Sequence, residues 1–106
     1  MTNILFICSK NQWRSPTAER IFKDYPNIYT RSAGTSRQAR HAVSSRDIAW
    51  ADLIFVMEYH HKDYLKQHFR QDIRGKSIIV LDIADDYQYM NDELITLLKL
   101  SVEPYL

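Results

Sequence analysis

Four short strand-like segments, three of them apolar runs, separated by helical patterns constrain this sequence more than any other feature. They are Ile4-Leu5-Phe6-Ile7, Ile28 to Ala33, Leu53 to Met57, and Ile78 to Leu81. The first and third are continuously apolar, the signature of strands buried on both faces, and the last reads as a fourth strand. Between the first two runs, Ser15-Pro16 predicts a helix start, with serine as N-cap and proline at the first helical position. Ala18, Ile21, Phe22 and Tyr25 follow at helical spacing, and Pro26 ends the segment. Ser44 and Asp47 form a capping-box pattern for a short helix to about Trp50. A polar helix is predicted from Tyr59 to about Phe69, with Tyr64, Leu65, His68 and Phe69 on its apolar side. Gly75 marks a turn, and Asn91 caps a last helix carrying Leu94, Leu97 and Leu98. Strands alternating with helices imply right-handed crossovers and a parallel sheet. The predicted fold is a three-layer α/β domain, a four-stranded parallel sheet flanked by helices, occupying residues 1–106. A chain of 106 residues can bury roughly two-thirds of its unfolded surface, enough for one core.

In such sheets ligands bind beyond the carboxyl ends of the strands. Here those segments are Cys8–Ser15, Gly34–Ser36, Met57–Glu58 and Asp82–Tyr89. Charge is divided along the chain. Residues 1–46 carry eight basic and two acidic residues, and residues 47–106 carry six basic and eleven acidic. The first half can therefore attract an anion, while the second offers carboxylates. No block of five or six like charges suggests a nucleic-acid arm. A single cysteine excludes an internal disulfide and a thiolate-rich metal site. His60, His61 and His68 lack metal-ligand spacing and are expected to be solvated or half-buried, so neither metal nor cofactor is expected. No apolar run reaches the ~18 residues of a membrane span. The start Met1-Thr2-Asn3 does not read as a signal peptide, so a cytoplasmic protein without a membrane partner is expected.

The most informative segment begins at Cys8, the end of the first strand. Arg14 follows six residues later, at the threshold of the next helix. Five intervening residues can wrap a loop around one tetrahedral anion. Backbone N–H groups of Ser9, Lys10, Asn11, Gln12, Trp13, Arg14 and Ser15 can converge on it, and the helix N-terminus adds partial positive charge. The planar fork of Arg14 can grip two oxygens of a phosphoryl group. The same field favours the thiolate of Cys8, a nucleophile able to attack phosphorus and form a phosphocysteine.

Ile4-Leu5-Phe6-Ile7-Cys8, Asn11 and Arg14-Ser15-Pro16-Thr17-Ala18-Glu19 together resemble the low-molecular-weight protein tyrosine phosphatases. The resemblance extends through Ser32-Ala33-Gly34-Thr35 and Asp52 to Glu58, and ends in Asp82-Ile83-Ala84-Asp85-Asp86-Tyr87. It covers most of the chain and points to a small, shortened branch of predicted phosphatases. The resemblance implies that Cys8 is the nucleophile and that Arg14 binds phosphate and stabilises the transition state. Ser15 then favours the thiolate and its departure. Asn11 holds the loop in a strained turn supported by Ser32. Asp85 matches the general acid, with Asp86 its nearest competitor because it stands where the family has proline. One carboxyl group suffices for both steps, protonating the leaving oxygen and then deprotonating water. Tyr87 stands where the family often has an aromatic pocket wall. Trp13 is a further candidate, whereas Tyr89 is expected simply to pack.

The departures are specific. Lys10 replaces the family's glycine before Asn11, and Gln12 occupies the substrate-contacting loop position. Trp13 stands in place of a second cysteine, so no protective disulfide can form with Cys8. Family material after Thr35 is missing, and the histidine that braces the asparagine would align with Arg37, with His41 nearby; a shallower, more open site is expected. The implied function is hydrolysis of phosphomonoesters, foremost phosphotyrosine in proteins, with small phosphomonoesters, phosphate and other oxyanions as further ligands. The alternatives are a weak or inactive phosphate- or phosphopeptide-binding module, an arsenate reductase relying on external thiol, and a nucleic-acid binder using Lys10, Arg14, Arg37, Arg40 and Trp13. Nucleic acid is disfavoured by the balanced charge.

Overall fold

Each apolar run becomes a strand and each amphipathic segment a helix in the computed structural model, which describes residues 1–106. The order is β1 (Thr2–Cys8), α1 (Arg14–Phe22), β2 (Ile28–Gly34), α2 (Ser45–Trp50), β3 (Leu53–Val56), α3 (Tyr59–His68), β4 (Ser77–Val80) and α4 (Asp92–Val102). A terminal 3-10 turn, Glu103–Tyr105, follows; Pro104, which cannot donate a backbone hydrogen bond, lies within it. All strands are parallel and lie in the order β2-β1-β3-β4. The expected three-layer α/β architecture is therefore the one found.

Strand alternation divides the interior into two cores. Ile4, Phe6 and Cys8 of β1 face one side, with Phe55 and Met57, against Ala18 and Phe22 of α1 and Leu94, Leu98 and Val102 of α4. Leu5 and Ile7 face the other, with Ile54 and Val56, against Ile48 of α2 and Leu65 of α3. Each such Leu, Ile or Phe contributes about 1.5–3 kcal/mol when fully buried. Phe6 lies between Phe22 and Phe55, with centroids 5.8 and 5.5 Å away. The helices are capped largely as their sequences predict. Ser44 Oγ accepts from the Asp47 N–H, and Asn91 Oδ1 accepts from the Leu94 N–H.

The topology decides where a site can form. The chain leaves β1 for β2 on one side, then crosses back to β3 on the other, so the connections diverge at the carboxyl ends of β1 and β3. That divergence opens a crevice between the loops that follow Cys8 and Val56. Gly34, paired with Cys8 across β1 and β2, permits the tight packing there. A Cβ on Gly34 would lie 2.5 Å from the Ser9 carbonyl oxygen and 3.0 Å from the Asn11 nitrogen. Because those are backbone atoms, Gly34→Ala is expected to lower stability by about 1–3 kcal/mol. Urea unfolding would register this as a lower midpoint at constant slope; an unchanged midpoint would show that the loop yields freely.

Candidate active site

The loop after β1 is built by turning its carbonyls away from its centre. Cys8 O, Ser9 O and Lys10 O accept from the N–H groups of Thr35, Ser36 and Arg40. No N–H from Ser9 to Trp13 donates to another backbone group or to a side chain. Asn11 makes the reversal possible by adopting φ 56°, a left-handed conformation that asparagine tolerates better than most residues. Its Nδ2 donates to Ser15 Oγ and Ser32 Oγ, both at 2.9 Å. Ser32 in turn donates to Glu19 Oε1 at 2.6 Å. Asn11, Ser15 and Ser32 are buried, so these bonds are shielded from competing water. The brace at Asn11 thus comes from Ser32 and Glu19, with nothing supplied by Arg37 or His41. His41 Nε2 instead pairs with Asp47 Oδ2 at 2.9 Å, at the start of α2.

Ser15 is not the N-cap of α1. Trp13 holds that position, no side chain caps the helix, and Pro16 lies at the third helical position. The reason is that the Ser15 hydroxyl is used elsewhere. It accepts from Asn11, which leaves its own proton for Cys8 Sγ at 2.9 Å or, less closely, the Ala33 carbonyl at 3.3 Å. The N-terminus of α1, without a side-chain cap, follows directly on the loop, the arrangement that favours an anion.

Arg14 is almost wholly buried, with a side chain 2% exposed. Its Nη1 donates to Glu58 Oε2 at 2.6 Å and to the Ile83 carbonyl at 2.8 Å. Its Nε lies 3.5 Å from Asp85 Oδ1. Glu58 follows β3 directly, and Ile83 lies in the loop after β4, so the guanidinium is fixed by two neighbouring strand ends. Burial pushes the Glu58 carboxyl upward, but the hydrogen bond and charge of Arg14, with a smaller contribution from His60, outweigh it and hold the pKa below the ordinary value.

Ser9 is anchored from beneath the sheet edge. His61 is fully buried, a correction to the expectation of a solvated or half-buried side chain. Its Nδ1 accepts from the Glu58 N–H at 3.0 Å, so the neutral ring carries its proton on Nε2 and donates to Ser9 Oγ at 2.9 Å. Burial, and then the charges of His60 and Arg14, lower its pKa to about 3, against a smaller opposing effect of Glu58. Glu58, His60 and His61 place ligand-type atoms within 4.8 Å of one another. Both nitrogens of His61 and the Glu58 carboxylate are already hydrogen-bonded, so these groups brace the loop rather than wait for a metal.

Cys8, Ser9, Lys10, Gln12, Trp13, Arg14 and Asp85 line one cavity of about 150 Å³ above the sulfur. Asp85 is thus brought to the cavity, while Asp86 is not among its lining residues. Asn11 and Ser15 form the loop's buried underside. Tyr87 lies elsewhere: it is half-buried against the core of α1 and α4. The exposed aromatics near the site are Trp13 and, contrary to the expectation that it packs, Tyr89, which is 50% exposed. Sequence reasoning missed Glu58, Glu19 and His61 as braces. Glu58 alone carried a signal, its place at a strand's carboxyl end beside the divergence of the chain.

The neutral state of His61 has a consequence for stability. The unfolded ring titrates near 6.5 and the folded one at about 3, so protonation favours unfolding. Its stabilisation is complete above pH 6.5 and is lost as pH falls toward about 3, with a limiting slope of about 1.4 kcal/mol per pH unit. Urea midpoints between pH 6 and 5 are expected to fall in the native chain and to fall less in His61→Gln, which keeps a donor for Ser9 but does not titrate. Equal slopes would exclude His61 as the source.

Residues 3–44 match the family model described as low molecular weight phosphotyrosine protein phosphatase. No curated protein matches the chain in sequence. Among solved structures, the low molecular weight protein tyrosine phosphatase SP-PTP of Streptococcus pyogenes is similar with TM-score 0.81 and 20% identity, over 100% of this chain and 91% of that one. The tyrosine phosphatase Wzb of Escherichia coli K30, in complex with phosphate, is similar with TM-score 0.79 and 24% identity, over 99% and 96%. The arginine phosphatase YwlE of Geobacillus stearothermophilus is similar with TM-score 0.78 and 23% identity, over 99% and 93%. The chain therefore has the fold of the low molecular weight phosphatases along its whole length and, over its first strand, cysteine loop and following helix and strand, their sequence pattern.

Proposed function

We propose that the chain is a phosphatase that hydrolyses phosphomonoesters, phosphotyrosine in proteins foremost, through a phosphocysteine. The observation that carries this reading is the convergence of Cys8, Arg14 and Asp85 on one small cavity ringed by unpaired loop N–H groups. A phosphoryl group seated there receives the loop amides and the Arg14 guanidinium, donors whose positions are fixed before the reaction begins. The Cys8 thiolate attacks phosphorus, forming the S–P bond as the P–O bond to the leaving group breaks. Asp85, in its protonated form, gives its proton to that departing oxygen.

In the second step a water oxygen attacks phosphorus and its proton passes to the Asp85 carboxylate. The S–P bond breaks, inorganic phosphate is released, and sulfur leaves as thiolate, stabilised by the Ser15 hydroxyl 2.9 Å away. Asp85 is reset to its acid form. Its side chain is 57% exposed, which leaves room for the attacking water beside it. The exposed ring of Trp13 at the cavity wall suits an aromatic leaving group, which favours an aryl over an alkyl phosphate. The similar solved structures include both tyrosine and arginine phosphatases, so phosphoarginine is the proper competitor in any assay.

Hydrolysis of an aryl phosphate in the presence of a chelator tests the reading directly. Cys8→Ser is expected to abolish turnover. Asp85→Asn is expected to lower kcat by about 10²–10⁴-fold, while Asp86→Asn has a far smaller effect. Full activity in Cys8→Ser would remove the proposal, and a larger loss in Asp86→Asn would reassign the acid.

A further inference from the structure

A second concavity adjoins the cavity over Cys8 and shares Gln12 and Trp13 with it. Its volume is about 430 Å³, larger than the phosphate cavity itself. Pro16, Arg20 and Lys23 of α1 and its C-terminal flank line one side, and Arg40 and Tyr89 also border it. Spacings of four and three residues put Pro16, Arg20 and Lys23 on one helical face. From residue 16 to residue 23 a helix advances roughly 10 Å, the length of about three residues of extended peptide.

The charge of this groove is unspent. Arg20, Lys23 and Arg40 are exposed, and none has a carboxylate oxygen within 4.0 Å. The one acidic residue among its lining, Glu19, accepts a hydrogen bond from Ser32 on the loop's supporting side. The geometry points to a second subsite, in which this groove takes carboxylate side chains next to the phosphorylated residue of a protein substrate. The inference rests on the phosphatase reading for the placement of the phosphoryl group. An extended acidic peptide fits better than a nucleic acid. The cations are strung along one helix face leading away from the cavity, and the chain has a net charge of only +1.

Two phosphotyrosine peptides of one sequence, flanked by Glu or by Ala, provide the test, with a bare aryl phosphate as reference. At low salt the Glu-flanked peptide is expected to have a kcat/KM roughly three- to ten-fold higher, mainly through KM, since two or three exposed charge pairs contribute modestly. The advantage should shrink as salt rises toward 0.5 M. In Arg20→Ala/Lys23→Ala the ratio of Glu-peptide to aryl-phosphate kcat/KM should fall by a similar factor. Equal kcat/KM for the two peptides, or a preference unaffected by the double variant, would overturn the subsite while leaving the phosphatase reading intact. Fluorescence titration of Cys8→Ser with the same peptides decides the matter apart from turnover. Tighter binding of the Glu-flanked peptide supports the groove even in a chain that hydrolyses nothing. Equal binding of the two, or displacement of the Glu-flanked peptide by an oligonucleotide but not by an unphosphorylated acidic peptide, refutes it.

Discussion

A guanidinium buried at the divergence of the sheet governs the rest of this structure. Arg14 cannot lie 2% exposed without partners, because an unpaired interior cation is among the costliest arrangements in a folded chain. Glu58 and the Ile83 carbonyl supply them, and both come from strand ends on the far side of β1. The cysteine loop is thereby tied to the ends of β3 and β4. Its opposite side is tied to β2 through Asn11, Ser32 and the close approach that Gly34 allows. The loop spans the whole carboxyl edge of the sheet and is held at each end by a different kind of bond.

The two supports have different electrostatic character. On the β3 and β4 side the bonds are charged, which fixes the position of Arg14 and partly neutralises it. On the β2 side they are neutral until Glu19, so no full charge sits within the chain of hydrogen bonds from Cys8 through Ser15 and Asn11 to Ser32. A carboxylate nearer the sulfur would oppose both a thiolate and an incoming phosphoryl group. Keeping the acidic brace at the outer end of a neutral relay avoids that conflict.

The fold was legible in the sequence because its signals are local. Continuous apolar runs mark the strands β1, β3 and β4, and capping signals such as Ser44 with Asp47 and Asn91 mark helix starts. The cavity's Cys8, Arg14 and Asp85 were legible too, by spacing and resemblance together. What could not be read was long-range pairing. Ser15 carries the local signature of an N-cap, and only the tertiary structure diverts its hydroxyl to sulfur. His61 resembles a surface helix histidine until burial beneath Ser9 makes it a neutral donor. Tyr87 and Tyr89 differ by two positions, and a loop without regular periodicity gives no rule for which of them packs inward. The left-handed turn at Met90, whose N–H donates to Thr17 Oγ1, helps to set that choice and has no sequence signal comparable to a glycine.

The unequal exposure of the proposed catalytic groups follows from what each must do. Arg14 gains from being immobile: in the proposed mechanism its buried, hydrogen-bonded guanidinium is positioned before a phosphoryl group arrives. A general acid that must release and regain a proton each cycle needs contact with water, and Asp85 remains more than half exposed. The charge division along the sequence now has a structural meaning. The basic N-terminal half supplies the loop, Arg14 and the cations of α1, while the acidic C-terminal half brings Glu58 and Asp85 to the same edge. An anion entering between them meets a fixed positive floor and a single exposed carboxyl group at the rim. A neutral ligand would find no comparable gain at the floor, and a preference for an anion follows from how the two halves meet.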